Sequence, residues 1–281
     1  MPTIAFCLIA ALATAPHDQA APQGLSALPL WEDGLSEMSY YDAVDRIYGK
    51  DRKFSRVHLF NRQWLDAATG VKAKRTDPGA VPVFKLNIAE QIPTDNYNYR
   101  YLTTVFVRRP DLTPMKMVSS SQEWCGTTFK HLRFRESGGT YKSFSYFPGE
   151  ADQEWTLADD VVPFEALFVI ARDVAARNTP RVLRVLASVR SNHQVKPNVR
   201  AARLAPGAVT QKRSGIGTHD VRRVDLQWEG PTTFFVVEAN PPYRLIRFKH
   251  GNLRGTLKNL ERRAYWDRSK KSAVYEQNHA P

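Results

Sequence analysis

Tyr97-Asn98-Tyr99-Arg100-Tyr101-Leu102-Thr103-Thr104-Val105-Phe106-Val107 decides the fold class. Its odd positions are aromatic, β-branched or both-faced: Tyr97, Tyr99, Tyr101, Thr103, Val105 and Val107. Its even positions include Asn98, Arg100 and Thr104. Side chains alternate between the two faces of a strand, so this period of two predicts a strand with one buried face. Leu102 and Phe106 interrupt the polar face, and part of that face is therefore expected to be covered.

The same period recurs on either side. Over 129–135, Leu132 and Phe134 oppose His131, Arg133 and Arg135; over 223–228, Val224, Leu226 and Trp228 oppose Arg223, Asp225 and Gln227. Residues 232–237 are apolar on both faces, as in a central strand, and 243–248 should pair back on them through Asn240-Pro241-Pro242. Shorter strands are predicted at 38–48, 54–60, 83–90, 115–122 and 140–146. Turn signals such as Gly49-Lys50-Asp51, Asp77-Pro78-Gly79 and Ser137-Gly138-Gly139 separate them. This spacing predicts a mainly β fold: a single antiparallel, strongly curved sheet, half-barrel or barrel-like, with one amphipathic helix packed on it.

The helix is expected over 161–175. Phe164, Leu167, Phe168, Ala171 and Val174 recur at three- and four-residue spacing, Asp160 can cap the N-terminus, and Pro163 is tolerated in the first turn. Glu165, Arg172 and Asp173 are assigned to the wet side. Val162, Val169 and Ile170 widen the apolar face beyond what a lone surface helix needs. Residues 182–189 fit either a helix or a strand.

Residues 4–13 form an apolar run of signal-peptide length, followed by the small residues Ala13 and Ala15. The expected organisation is a signal peptide at 1–15, a flexible leader at 16–29, one β-rich domain at 30–269 and a polar tail at 270–281. An exported chain in the periplasm or cell envelope follows. Cys7 would leave with the signal peptide, so Cys125 would be the mature chain's one thiol and stability must come from a hydrophobic core.

The formal net charge is +12, from 40 basic and 28 acidic residues. Residues 1–171 hold 18 basic and 20 acidic residues, a net of −2, and the remainder 22 basic and 8 acidic, a net of +14. Such a field attracts polyanions. For an exported chain the counterpart is an anionic membrane surface or glycan and not nucleic acid. Arg222, Arg223, Arg262 and Arg263 are the candidate contacts with an anionic surface.

Chemistry is sparse. The chain has no Gly-x-Ser-x-Gly, no Walker sequence and no His-Glu-x-x-His. Its histidines are scattered and predict no metal site, and no cofactor is implied. Ser119 to Gly126 (Ser-Ser-Ser-Gln-Glu-Trp-Cys-Gly) is the most unusual segment. Cys125 there reads either as a nucleophile assisted by His131, or as a small buried residue beside a packed Trp124. The second reading is preferred, and Cys125 is expected to be buried and inert. Glu123 is harder to explain as packing and is a candidate ligand contact.

Several segments carry a resemblance. Lys85-Leu86-Asn87, Tyr97-Asn98-Tyr99, Thr103 to Phe106, Ser120 to Gly126, Phe144-Ser145-Tyr146-Phe147 and Pro241 to Ile246 together resemble a family of secreted bacterial proteins with no established function. Some members are labelled septum-formation inhibitors of the Maf type, which are cytosolic nucleotide pyrophosphatases; this chain lacks their N-terminal pattern. The resemblance implies a strand at 182–189 and supplies no catalytic residue. At the level of layout the chain is also similar to the half-barrel lipoprotein carriers of the periplasm. The leading expectation is thus a periplasmic carrier whose sheet wraps an apolar cavity for a lipid-like ligand, contacted by Glu123, Trp124, Phe164, Leu167 and Phe168. The alternatives are a structural envelope protein that binds another protein or an anionic glycan, and an enzyme acting through Cys125 or Glu123.

Overall fold

In a computed structural model the described residues are 24–267 and Ser269, so the expected signal peptide and polar tail lie outside them. Fifteen strands form one sheet: β1 Ser36–Ile47, β2 Lys50–Asp66, β3 Ala80–Pro93, β4 Asn98–Arg108, β5 Pro114–Glu123, β6 Gly126–Arg135, β7 Gly138–Phe144, β8 Gln153–Leu157, β9 Val161–Pro163, β10 Arg181–Leu186, β11 Val199–Ser214, β12 Gly217–Trp228, β13 Thr233–Glu238, β14 Leu245–His250 and β15 Leu253–Arg263. Strands β1 to β8 lie side by side in chain order, as do β9 to β15, and β1 joins the two runs by pairing antiparallel with β15. Every pairing is antiparallel except β9 with β10. The edges are β8 and β9, which are consecutive in the chain, so the sheet rolls into a nearly closed barrel. Register shifts at Tyr40/Tyr41, Phe106/Val107, Pro206/Val209 and Val236/Val237 bend it.

Alternation places the core as expected. Tyr99, Tyr101, Thr103, Val105 and Val107 are buried on the concave face, and Asn98, Arg100 and Leu102 are exposed. Strands β2 and β3 run several residues past the predicted ends, and β8, β9, β11 and β15 carry no clear alternation in the sequence. Residues 181–186 are a strand.

Helix α1 (Leu167–Arg177) follows a 3-10 turn at Phe164–Ala166. It starts later than predicted because Val161–Pro163 pairs with β10 as β9. Asp160 caps nothing and instead meets Arg184 at 2.8 Å. The helix ends at Asn178, whose φ of 51° is a left-handed stop. The predicted wet side is the main correction. Every residue from Leu167 to Ala176 is buried, so α1 lies inside the barrel and has no solvent face. Phe168 meets Phe235 and Phe248 edge-on at 5.3 and 5.4 Å.

The three charges assigned to water all have interior partners. Arg172 donates to both oxygens of Glu37 on β1, at 2.8 and 3.1 Å, and to the carbonyl oxygens of Tyr243 and Pro242 at 2.7 and 3.2 Å. Its guanidinium also lies over the Phe60 ring at 4.8 Å. Asp173 accepts from the Leu25 amide at 2.8 Å and from Arg177. Glu165 accepts from the Ser188 hydroxyl at 2.6 Å, and burial raises its pKa. The leader is ordered earlier than predicted for the same reason. Leu25, Leu28 and Trp31 are buried, and Trp31 donates its indole N–H to the Leu25 carbonyl at 2.9 Å.

Little space remains between α1 and the aromatic wall, although a depression of about 270 Å³ borders the helix's C-terminal end at Asp173, Val174 and Arg177. A void of about 10 Å³ lies between Tyr41, His58, Phe168 and Arg172, room for about one water.

Arg172→Ala should therefore destabilise the protein by about 3–5 kcal/mol in urea unfolding, because it strands the Glu37 carboxylate in the core. The double variant Glu37→Leu/Arg172→Met should recover much of that loss. A loss of under about 1 kcal/mol for Arg172→Ala would mean that the pair does not hold the helix.

Candidate functional site

Above the helix the barrel opening is crossed by residues 187–198, the irregular segment between β10 and β11. Side chains from five strands hold it. Arg190 pairs with Glu90 and, at 2.9 Å, with Asp45. Asn192 donates to Glu123 Oε1 at 2.9 Å, and the Tyr141 hydroxyl donates to the Val195 carbonyl at 2.7 Å. Lys130 donates to the Ser191 carbonyl and, at 2.9 Å, to the Thr128 hydroxyl. Glu150 accepts from the Gln194 amide at 2.7 Å and lies 2.7 Å from the His193 ring.

The strands beneath this strap carry polar side chains inward. Arg56 meets Glu90 at 2.8 Å and donates to His58 Nε2 at 3.0 Å. Its guanidinium sits between the Phe168 and Phe248 rings, 4.9 Å from each. Burial, helped by Arg56, holds His58 well below the usual histidine range, so the neutral ring accepts that bond. Burial alone would raise the Glu90 carboxyl, but Arg190 and Arg56 hold it below its ordinary value.

At the edge of the strap, two hairpin turns form an open groove of about 410 Å³. Asn96, Tyr97 and Asn98 come from the β3–β4 turn and the start of β4; Gln122, Glu123 and Trp124 come from the end of β5 and its turn into β6; Arg100 completes it. Glu123 pairs with Gly126, so Trp124 and Cys125 are the two residues of a tight turn. Gly126 has a φ of 151°, and a Cβ there would lie 2.5 Å from the Tyr146 ring, which packs flat on this backbone. Trp124 is 84% exposed and stacks on Tyr97 at 5.6 Å and 20°.

The structure thus brings Glu123 and Trp124 together, Glu123 facing the strap and Trp124 the solvent. It does not bring Phe164, Leu167 and Phe168 to them. Those three are core residues, 2%, 0% and 3% exposed, packed against the barrel wall. Cys125 is exposed, contrary to expectation, because a two-residue turn leaves it no interior to enter. It lies 3.0 Å from the Tyr97 hydroxyl, a contact that pushes that phenol up to about 12. The histidines that would activate a thiol are engaged elsewhere: His131 stacks on Phe129, His219 pairs with Glu238 at 3.0 Å, and His250 bonds Thr233 at 2.9 Å.

The four arginines do not lie side by side. Arg222 and Arg223 are on β12, and Arg262 and Arg263 are on β15, three strand spacings or about 14 Å away across the sheet. Arg223 is held by Asp225 at 2.7 Å, and Arg262 is forked onto Asp33 at 2.7 and 2.8 Å and lies over Trp31. Arg222 bonds the Gly207 carbonyl, and Arg263 lies 3.7 Å from Glu261. Much of the basic half is answered by the acidic one, as in Arg254–Asp51 and Lys258–Asp42.

A second depression of about 850 Å³ lies at the far ends of β4 to β6, between Val81, Pro114, Phe134 and Arg135. Its Arg108 is tied to Asp111 and it presents no exposed aromatic ring. Among the described residues no three metal-ligating side chains converge, and no helix is long and apolar enough to cross a membrane.

Sequence reasoning missed the strap and Lys130. The alternation that puts Leu132 and Phe134 inside also puts Lys130 inside, and only its charge argued otherwise.

No family model matches the chain, and neither does any curated protein. Among solved structures it is similar to a β-barrel-like protein of a domain of unknown function, DUF1849, from Brucella abortus. The two share 12% identity over 81% of this chain and 97% of that one, with a TM-score of 0.49.

Lys130 is fully buried, and burial, against the pull of Glu150, pushes it down to about 8 from its ordinary 10.5. Below about pH 8 it is charged in both states, and its burial cost is fully present. Between there and 10.5 only the unfolded chain holds the proton, so native stability rises with pH. Relative to Lys130→Met, the wild type should therefore gain about 1–2 kcal/mol between about pH 7 and about pH 9.5 in urea unfolding. A pH-independent difference would show that Lys130 is solvated.

Proposed function

We propose that this chain is a binding protein of the bacterial envelope that meets its ligand on the rim of the barrel and not inside it. One observation carries the reading: α1 and the strap occupy the concave face, where a carrier would hold its cargo. A lipid-like ligand would have to displace a helix buried on every side and anchored by Arg172 on Glu37. The exposed Trp124 and the groove beside it favour surface recognition of another protein or a glycan, with the barrel as scaffold. The apolar run at 4–13 and the small residues Ala13 and Ala15 support export.

The purified protein should take up no fluorescent fatty acid in a saturable way, and an Arg172→Ala variant, with the helix anchor weakened, should take up more than the wild type. Stoichiometric uptake by the wild type, or lipid retained on purification and seen by native mass spectrometry, would restore the carrier reading.

A further inference from the structure

The rim groove combines a flat aromatic platform with planar polar groups and almost no net charge. Trp124 and Tyr97 are stacked within 20° of parallel, and Trp124 turns most of its surface to water. Around them stand the amides of Asn96, Asn98 and Gln122, the guanidinium of Arg100 and, at the floor, the carboxylate that Glu123 shares with Asn192. Each amide offers both donors and acceptors, and Arg100 offers a rigid fork of donors.

We propose that this groove is a carbohydrate site that takes the pyranose rings of a neutral oligosaccharide, an inference that rests on reading the rim as the working surface. A pyranose ring has an apolar C–H face and a girdle of hydroxyls, each both donor and acceptor. The C–H face lies on the Trp124 ring, which is amphipathic and rigid enough to stack at low entropic cost. The hydroxyls find donors and acceptors in the amides of Asn96, Asn98 and Gln122 that line the same groove. The volume of about 410 Å³ is in the range of small-ligand sites, and the groove is open to solvent.

The charge balance selects among ligands that stack on aromatic rings. A nucleotide also stacks, but its phosphates need several cations. This lining supplies Arg100 alone, balanced by Glu123. The same balance gives an acidic sugar no advantage over a neutral one. The wall is also preorganised. Tyr97 is fixed by its contact with the Cys125 sulfur, and Glu123 by Asn192, so little ordering is left for binding to supply.

The test follows the Trp124 indole N–H by ¹⁵N-correlated NMR, assigned with Trp124→Phe, in the full chain. The probes are cellohexaose and the hexamer of N-acetylglucosamine as neutral sugars, AMP as a nucleotide, and a proline-rich peptide. A neutral sugar should shift the Trp124 resonance saturably. Tyr97→Ala, followed at the same resonance, should weaken binding by roughly tenfold, the equivalent of about 1.4 kcal/mol, and Trp124→Ala should lose at least as much by isothermal titration calorimetry, with its melting temperature unchanged. Asn98→Ala should weaken it less. No shift from either sugar up to about 10 mM, a concentration that detects even millimolar affinity, would overturn the proposal. Tighter binding of AMP or of the peptide at Trp124 would also overturn it, while leaving the rim as the working surface. A silent Trp124 together with fatty-acid uptake would sink both readings.

Discussion

A guanidinium from α1 and a carboxylate from β1 meet inside the barrel, with about 5% of either side chain exposed. Taking two charges out of water costs several kcal/mol for each ion, and the pair is tolerable only because every polar edge finds a partner. Arg172 reaches both oxygens of Glu37 and two carbonyls from the turn before β14, with the Phe60 ring beneath it. That arrangement fixes the rotation of α1 about its own axis. It also ties the helix to the first strand and to the turn before β14, on either side of the β1–β15 junction that joins the two halves of the sheet. The buried leader follows, since Asp173, one residue on, takes the Leu25 amide.

With the helix fixed, the interior divides in two. Around α1 the wall is mostly apolar and aromatic, with the Glu37 carboxylate, Arg56 and His58 set among the rings and the last two against Phe168 itself. From there upward, Arg56, His58, Glu90 and Lys130 face inward and are satisfied largely by one another and by the strap at 187–198. The strap is irregular because its groups bond to side chains of the wall and not to a neighbouring strand. Its bonds to Glu123 and Glu150 place it beside the groove, so the rim and the interior share residues. Beyond them Trp124 is left to the solvent, stacked on a half-buried Tyr97.

How far this was legible in the sequence depended on the range of the interactions. Alternation from Tyr97 to Val107 gave the strand, its buried face and the curved antiparallel sheet, because period two is a local signal. The helix was legible in kind and not in setting. Glu165, Arg172 and Asp173 were read as its wet side because charge usually means water. Their partners Ser188, Glu37 and Leu25 lie far away in the chain, and no local pattern announces them. Lys130 was hidden in the same way. Strand β11 was obscure because its distal half, in an exposed two-stranded ribbon with β12, has no buried face to impose alternation. Cys125 misled for the opposite reason. Its type suggests burial, but its place in a two-residue turn leaves it exposed. Glu123 was found because it resists explanation as packing, whereas Trp124, read as packed beside a buried Cys125, is exposed with it in the same turn; the ligand expected for them, an apolar one, rested on an open cavity that α1 fills.

A filled barrel requires α1 to be an integral part of it. Native-state hydrogen exchange at its interior amides measures this directly. If the Arg172–Glu37 pair and the aromatic packing hold it, those amides exchange only through global unfolding, with protection matching the slowest amides of β2 and β3. Exchange of the helix through a cheaper, denaturant-insensitive opening, while the strands stay protected, would mean that the helix leaves a standing barrel, and the claim of a filled scaffold would be contradicted.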